Sequence, residues 1–598
     1  LSGKPIRRSK NIPKRSDTYE THSLPAFLLG CLCGLLVFFA IYGFAIIDPT
    51  YTDWLLHSDD LEGSVDLTQH YLGWVFYRNT PWHFPFGLTE GIYSSPVSVI
   101  YTDSIPLFAF IFKLLSPILP ADFQYFGLYG LICYALMGGF AVLLVRRINP
   151  SSIALHIVTA VLFVTNPVML NRMYLHTALA GHFIIVAGLC LYFYHSSLSD
   201  TRRITLWIIL IVCGTLLNAY FTPMLYGLLI FAVISDFLAS DDIYGHGSSA
   251  IARAAALLLP VFFTAITCYG FGMFYGNVPS TAGGLEVLSF NLDGFFNPLT
   301  KLTDFHDHNM GYTDMNYSRW LPALPMSTAY QNEGFAYIGV GVMVLLLVSI
   351  LVMVTMRRSP SHLDPLIFYM IICLLLALSP VATLGENTLY HLPLPGFIHD
   401  LWSSFRSTAR FIWPVYYMIL AMPLLYLGGL ISSHTDHDPI SPLAKGLIYA
   451  VLLFAAAIQL WDLTPGFYEK HSAFSDIPSY QSTLADPRWD ELGERCDNIV
   501  FYPPTEYGLY EDGKTSVEFE IYALRHGMTL NNTYMSRNLC EFADADTLAH
   551  FESRASGASY PATLYVFFDN IDSSNLPDAS VYNLRYCQLD KYTVGIEP

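Results

Sequence analysis

Long runs of apolar residues, repeated along most of the chain, restrict most strongly how it can fold. The first run, residues 25–47, is long enough to cross a bilayer as a helix. Only 13% of the 598 residues are charged, whereas soluble domains carry about 25%. The sequence therefore predicts a mainly α, polytopic helical membrane protein.

The placement of Lys and Arg indicates which apolar runs cross the membrane. Six basic residues within positions 1–24 put the N-terminus in the cytoplasm, because basic residues favour that side. Residues 105–119 are apolar but short and hold Lys113, so we interpret them as a helix lying at the outer interface. The basic residues after later runs then all fall inside. The prediction is eleven spans, at 25–47, 124–145, 152–171, 178–196, 204–219, 221–239, 254–274, 335–356, 365–384, 411–431 and 446–462.

This topology divides the chain into three parts. Residues 1–24 form a cytoplasmic tail, residues 25–462 a transmembrane domain whose first outer loop is 48–123, and residues 463–598 an extracytoplasmic domain. Strand-length apolar runs such as Asn498 to Tyr502 alternate there with helix-like stretches, which predicts a small α/β domain. The long loops lie outside, so we expect function at the outer face.

The first outer loop holds an acidic stretch that is rich in aromatic residues. Asp66 and Asp103 have apolar and aromatic neighbours, and a carboxylate there could accept the proton of an attacking hydroxyl. Asp59 and Asp60 could share that role, or the carboxylates could hold Mg²⁺ or Mn²⁺ through oxygen ligands. The alternative is that these acidic side chains are simply solvated.

Three arginines are predicted at the outer ends of spans, against the usual bias of Arg toward the cytoplasm. Arg172 follows the third span, and Arg406 and Arg410, four residues apart, precede the tenth and could share a helix face. Guanidinium groups suit forked hydrogen bonding to phosphate. The alternative is that each arginine anchors a lipid headgroup or forms an ion pair.

Other polar residues near these positions are candidates for binding an acceptor or a metal. Glu333 directly precedes a span and would be costly if buried unpaired, so it could pair with an outer arginine. His176 follows Arg172, and a structural hydrogen-bonding role is its alternative. The remaining candidates are Gln69 and His70, which follow Asp66.

Three cysteines, Cys496, Cys540 and Cys587, lie in the C-terminal part. In an oxidising compartment three cysteines cannot all pair. We predict a disulfide between Cys540 and Cys587, which both lie in the later half of the domain.

A short interfacial helix after a carboxylate-bearing first outer loop, within eleven spans, resembles the GT-C class of membrane glycosyltransferases. Protein O-mannosyltransferases are similar in layout, with an acidic first loop followed by a Pro-containing juxtamembrane helix, here Asp103-Ser104-Ile105-Pro106-Leu107. Residues 65–71, Val-Asp-Leu-Thr-Gln-His-Tyr, resemble the Gly-Asp-Leu-x-x-Gln-Tyr pattern of the bacterial YfhO-like branch, with Val65 in place of Gly. A related uncharacterised bacterial membrane-protein family is similar at Tyr71-Leu72-Gly73-Trp74, Pro81-Trp82, Tyr101-Thr102-Asp103-Ser104, Glu333-Gly334-Phe335-Ala336-Tyr337 and Phe405-Arg406-Ser407-Thr408-Ala409-Arg410-Phe411.

The resemblance implies a transferase in the bacterial inner membrane that moves a sugar from a polyprenyl-phosphate donor to an envelope glycan or a lipid-linked acceptor. In that interpretation Asp66 and Asp103 are catalytic, and Arg172, Arg406 and Arg410 bind the donor phosphate. We expect membrane lipids as further partners and no nucleic acid. Two alternatives stay open: a transporter or flippase of lipid-linked saccharide, and a non-catalytic envelope assembly protein.

Overall fold

A computed structural model describes most of the chain. The described residues are 23–57, 65–240, 249–276, 283–301, 315–356, 364–432, 441–504, 515–537, 547, 549, 562–567, 577 and 579–596. Asp59, Asp60 and Cys540, which the sequence analysis singled out, lie outside these ranges.

The protein is mainly helical. In chain order the α-helices are α1 Ser23–Tyr42, α2 Asp53–Leu56, α3 Asp66–Asn79, α4 Pro106–Leu115, α5 Phe126–Arg146, α6 Ile153–Val164, α7 Pro167–Arg172, α8 Phe183–Tyr194, α9 Asp200–Leu217, α10 Phe221–Ser240, α11 Ala250–Gly270, α12 Val340–Met356, α13 Leu366–Leu378, α14 Gly396–Trp402, α15 Trp413–Ser432, α16 Pro442–Asp462, α17 Thr464–Ser475, α18 Arg488–Arg495, α19 Thr515–His526 and α20 Ala579–Tyr582.

Eight segments in the described part of the chain are helical, long and apolar enough to cross a membrane. They are Ser23–Tyr42, Phe126–Arg146, Ile153–Arg172, Thr177–Ser197, Phe221–Leu238, Ala250–Gly270, Thr408–Ser432 and Pro442–Asp462. The length and composition of these segments are those of a multi-pass membrane protein.

The three other predicted spans coincide with helices that do not meet the same criteria. They are α9, the 17-residue α12 and the 13-residue α13. The predicted bounds 335–356 and 365–384 were too wide, because α12 begins only at Val340 and α13 ends at Leu378. Ser379 there has φ 64°, which takes the chain out of the helix and into the hairpin that follows. The count of eleven spans stays a prediction.

Helices α1 and α5 pack with their backbones in near contact. A Cβ added to Gly30 would lie 2.2 Å from the carbonyl oxygen of Gly138, and one added to Gly34 would lie 2.0 Å from that of Tyr134. Glycines four residues apart form the kind of small-residue stripe that lets apolar helices approach closely. This packing fixes α1, and with it the start of the first outer loop, on the helical bundle.

The segment predicted to be the first outer loop, residues 48–123, folds back on itself, and it keeps that name below. Helix α3 leads into a two-stranded antiparallel hairpin of β1 Leu88–Thr89 and β2 Val97–Ser98, and then into α4. Proline is the first residue of α4. The N–H at that position makes no hydrogen bond within a helix, so a proline there costs none. Lys113 of α4 is buried with its Nζ 4.0 Å from the Tyr77 ring centroid, so the loop has its own packed interior.

The C-terminal part carries the main sheet. Two small antiparallel strand pairs precede it, formed by β3 Leu299–Lys301 with β4 Met315–Asn316 and by β5 Val381–Leu384 with β6 Asn387–His391. The main sheet has five strands in the order β10-β11-β9-β7-β8. Its strands are β7 Asn498–Tyr502, β8 Thr529–Leu530, β9 Thr563–Phe567, β10 Arg585–Leu589 and β11 Tyr592–Ile596.

The main sheet contains both parallel and antiparallel strand pairs, and helices lie between some of its strands in the chain. Strand β7 runs parallel to both β8 and β9, whereas β11 runs antiparallel to β9 and β10. Parallel neighbours require crossover connections, and α19 lies between β7 and β8 in the chain. The predicted small α/β region is confirmed.

The sheet domain shares a hydrophobic core with the first outer loop. Phe76 of α3 and Ile92, Tyr93 and Val97 of the hairpin region pack with the interior of the sheet domain. The N–H of Leu530 in β8 also donates to the carbonyl oxygen of Gly91 at 2.8 Å. The C-terminal part is therefore seated directly on the stretch that holds Asp66 and Asp103.

Candidate functional site

Asp66 is the first residue of α3 and is buried, with 8% of its surface exposed. An acidic residue in the first helical turn is favoured there by the unpaired N–H groups of the helix start. Val65 precedes it with φ −79°, a conformation that a β-branched residue adopts without strain. The difference from the Gly of the YfhO-like pattern therefore leaves the start of this helix undistorted.

Asp103 lies in a turn that packs against the middle of α3. It has φ 51°, and Ile105 has φ 52°, an unusual conformation for a β-branched residue. The Ser104 hydroxyl holds the turn in place by donating to the carbonyl oxygen of His70 at 2.7 Å. A Cβ added to Gly73 would lie 2.6 Å from the Cβ of Thr102, so this turn needs glycine on α3.

His176 connects Asp66 to the arginines. Its Nδ1 lies 3.2 Å from Nη1 of Arg172, and its Nε2 lies 3.1 Å from Oδ2 of Asp66. A guanidinium can only donate, so Nδ1 is the acceptor and the imidazole proton sits on Nε2. His176 is thus a neutral imidazole that donates to the Asp66 carboxylate. Burial lowers the pKa of His176 to about 3, which agrees with this neutral form.

Glu333 lies between two arginines. Its Oε2 is 2.9 Å from Nη2 of Arg172 and 3.0 Å from Nη2 of Arg410. Arg172 also donates to the carbonyl oxygen of Glu333 at 2.8 Å. Burial opposes ionisation of Glu333, but the two guanidiniums prevail and hold its pKa well below the usual range. The expected pairing of Glu333 with an arginine is confirmed, and it involves two of them.

The two aspartates have opposite electrostatic surroundings. Burial favours the neutral form of both. At Asp66 the neighbouring histidines, Tyr534 and Arg406 outweigh burial and lower the pKa, whereas at Asp103 burial prevails and raises it. Environments that separate the pKa values of two carboxyl groups suit one to act as a base and the other as an acid.

Arg406 and Arg410 lie on the segment that leads into α15. Arg406 is exposed at the edge of the cluster, and Arg410 has its guanidinium carbon 4.6 Å from the ring centroid of Tyr220. The Tyr220 hydroxyl accepts from the N–H of Ser407 at 2.7 Å, which ties this segment to the chain after α9. The same chain segment supplies Asn218, whose Nδ2 lies 3.2 Å from Oδ1 of Asp103.

The structure thus brings most of the predicted site residues together at one end of the apolar helices. Arg172 ends the segment Ile153–Arg172, and Arg410 lies near the start of Thr408–Ser432. His70 is buried one helical turn after Asp66, and its Nδ1 has no hydrogen-bond partner among the described residues. Gln69 is also buried on α3.

Among the described residues, no group of three or more His, Cys, Asp or Glu side chains that could hold a metal is found. A metal at Asp59 and Asp60, which lie outside the described residues, stays a prediction. The predicted disulfide between Cys587 and Cys540 also stays a prediction, because Cys540 lies outside the described residues.

Four site residues escaped the sequence analysis. Asn218 and Tyr220 follow a helix end, where two polar groups among apolar residues were the available signal. Tyr534 and Arg537 come from the C-terminal domain, and their sequence neighbourhood carries no motif that points to a membrane-domain site. They contact the first outer loop and the arginine segment only because the two parts of the chain dock.

Comparison with known protein families finds a match for each of the two parts of the chain. No curated protein matches it. A family model described as "Domain of unknown function (DUF6311)" matches residues 31–464, and a second, described as the DUF6311 C-terminal domain, matches residues 488–597. Because the first match alone covers more than half of the 598 residues, the chain belongs to the DUF6311 family.

Proposed function

We propose that this protein is a membrane glycosyltransferase of the GT-C type that takes a sugar from a polyprenyl-phosphate donor at the outer face of the bacterial inner membrane. The acceptor is an envelope glycan or a lipid-linked sugar. The observation that carries the proposal is the continuous polar chain from Asp66 through His176 to Arg172, Glu333 and Arg410. It combines a carboxylate base with a cluster of guanidiniums, the two charges that this reaction needs.

The proposed chemistry assigns Asp66 the role of base. The acceptor hydroxyl gives its proton to Asp66 as its oxygen bonds to the anomeric carbon of the donor sugar. The bond from that carbon to the phosphate oxygen breaks, and the phosphate leaves with the electron pair. His176 donates to Asp66 and thereby orients it with lone pairs facing the acceptor.

The arginines serve the leaving phosphate. Arg172 and Arg410 share the single carboxylate of Glu333, so the pair keeps a net positive charge. Arg406 is exposed beside them and adds a third guanidinium. Preorganised positive charge stabilises the negative charge that develops as the glycosidic bond breaks. Glu333 fixes the two guanidiniums in place, so the site does not have to be rebuilt during the reaction.

The membrane placement belongs to the same proposal. The basic residues within positions 1–24 favour a cytoplasmic N-terminus, and eleven spans then leave the C-terminal domain extracytoplasmic. Exposed apolar side chains of residues 48–123, such as Trp82, Phe84 and Ile118, suit a place at the lipid interface. A polyprenyl donor would approach along that interface.

The test uses the purified full chain in lipid vesicles, with undecaprenyl-phosphate glucose or undecaprenyl-phosphate mannose as donor. A membrane extract supplies acceptors, and mass spectrometry detects an added hexose. The proposal predicts a hexose adduct that the Asp66→Asn variant does not form. If the donor moves across the bilayer and no adduct forms, the protein is a transporter and not a glycosyltransferase.

A further inference from the structure

Residues 531–537 of the C-terminal domain cross from the main sheet to the membrane domain. We call them the bridging segment. The segment leaves β8, and Asn531 ties its beginning to the sheet by accepting from the N–H of Phe501 at 2.8 Å. Ser536 donates from its N–H to the carbonyl oxygen of Tyr101 at 3.0 Å, and Arg537 donates to that of Ser404 at 3.3 Å. The segment therefore touches both sides of the site.

Tyr534, in the middle of the bridging segment, reaches the carboxylate of Asp66. Its side chain makes a hydrogen bond to that carboxylate, in which the phenol is the donor. Asp66 consequently accepts from two donors that belong to different domains, the imidazole of His176 and the phenol of Tyr534. A carboxylate has about four lone-pair sites, so room remains for the proton of an acceptor hydroxyl.

Glu520 holds the main chain of the bridging segment at Tyr534. It lies on α19, is 1% exposed, and accepts a hydrogen bond from the backbone N–H of Tyr534. Its Oε1 has no partner among the described residues. Helix α19 packs against α3, the helix that carries Asp66. A buried carboxyl group thus fixes the residue whose side chain contacts the proposed base.

We propose that Tyr534 is a positioning residue for Asp66, and that the C-terminal domain is therefore part of the transfer site. This inference rests on the proposed function. The phenol donor stabilises the ionised carboxylate and restricts its rotation, so that its free lone pairs face the acceptor. A carboxylate held by donors on two sides is preorganised for proton transfer. The interface between the domains then supplies one of the two hydrogen bonds that orient the base.

The experiment compares Tyr534→Phe with the wild type in the full chain, using the hexose-transfer assay over a range of pH. Loss of the phenol donor disfavours the ionised form of Asp66, so the acid limb of the kcat profile moves to higher pH. The value of kcat at neutral pH falls about tenfold, as expected for one lost hydrogen bond to a charged group. KM for the undecaprenyl-phosphate sugar stays unchanged, since the phosphate contacts are intact.

Tyr586→Phe is the matched control. Tyr586 also belongs to the sheet domain, and its hydroxyl donates to the carbonyl oxygen of Pro577 in the same domain, at 2.5 Å. Its pH profile should equal that of the wild type. Thermal unfolding of both variants shows whether the fold is intact, and Tyr534→Leu, which also lacks a side-chain donor, repeats the test if Tyr534→Phe unfolds.

The outcomes separate the two proposals. An active wild type with an unchanged pH profile in Tyr534→Phe overturns the inference and leaves the proposed function standing. A wild type that transfers no hexose from either donor overturns the proposed function and the inference with it. An acid limb that shifts in Tyr534→Phe but not in Tyr586→Phe supports both.

Discussion

The Nε2 atom of His176 lies 3.1 Å from Oδ2 of Asp66, while Nδ1 of the same ring faces Arg172 at 3.2 Å. The guanidinium thereby selects the tautomer that donates to the carboxylate. An arginine in direct contact would neutralise a base, whereas an interposed neutral imidazole orients it and leaves its charge available. This arrangement connects the end of the apolar segment Ile153–Arg172 to the first turn of α3.

Replacing His176 by Phe should weaken Asp66 as a base. The ring remains but the donor is lost, so the pKa of Asp66 rises and the acid limb of the transfer profile moves to higher pH. We expect kcat to fall about tenfold. His176→Gln, which keeps an N–H donor, should recover part of the loss. Equal profiles for wild type and His176→Phe would contradict this role.

Replacing Glu333 by Gln should destabilise the fold. Arg172 and Arg410 would keep their buried charges without a counter-charge, and removing one partner of a buried ion pair costs about 3–5 kcal/mol. Glu286→Gln is the control, because Glu286 pairs with His391 in an exposed contact. Thermal unfolding should show a lower Tm for Glu333→Gln alone. Equal Tm values would mean that the pairing contributes little.

Replacing Gly73 by Ala should displace the turn that carries Asp103. The new methyl group would lie 2.6 Å from the Cβ of Thr102, and overpacking of this kind costs about 1–3 kcal/mol. Gly446→Ala is the control on α16, where an added Cβ meets nothing within 4 Å. We expect a lower Tm and reduced transfer for Gly73→Ala, with neither change in Gly446→Ala. A fully active and stable Gly73→Ala would rule out tight packing at this turn.

Replacing Glu520 by Gln should stabilise the protein at neutral and alkaline pH. Burial raises the pKa of Glu520 to about 8, from the ordinary value of 4.5 for a glutamate side chain. The folded state therefore binds a proton that the unfolded state releases, so stability falls as pH rises between these two values and then levels off. The full shift corresponds to about 3–5 kcal/mol.

The Glu520 prediction is tested by chemical unfolding from pH 4 to pH 9. Glutamine can still accept the Tyr534 N–H, so the variant should gain stability over the wild type as pH rises. Glu491→Gln, an exposed replacement on α18, should parallel the wild type. A constant difference between Glu520→Gln and the wild type across this range would show that Glu520 is ionised in the folded state.

Local sequence patterns predicted the helices and strands better than they predicted which of these elements pack together. The apolar run at residues 25–47 indicated α1, and the apolar, strand-length run at Asn498 to Tyr502 indicated β7 with its observed bounds. The run at 365–384 gave a helix end that was too late, because apolar residues continue from α13 into the strand β5. Hydropathy does not detect the change of backbone conformation at Ser379.

The site was predicted in part because charges in apolar surroundings are costly and stand out. Asp66, Arg172 and Glu333 were singled out for that reason, and the structure brings all three together through His176. Tyr534 could not be found this way. Its contact with Asp66 depends on how the C-terminal domain docks on the first outer loop, and a long-range pairing of 468 positions leaves no local pattern.

The most direct test of the account separates donor binding from turnover in Asp66→Asn. The purified full chain is titrated with undecaprenyl phosphate, and single-turnover hexose transfer is measured on the same preparation. Asp122→Asn, an exposed aspartate in the same outer loop, is the control. A general base contributes about 10²–10⁴-fold to the rate. The account predicts that Asp66→Asn loses at least a hundredfold in transfer and keeps its affinity for undecaprenyl phosphate, and undiminished transfer by Asp66→Asn would contradict it.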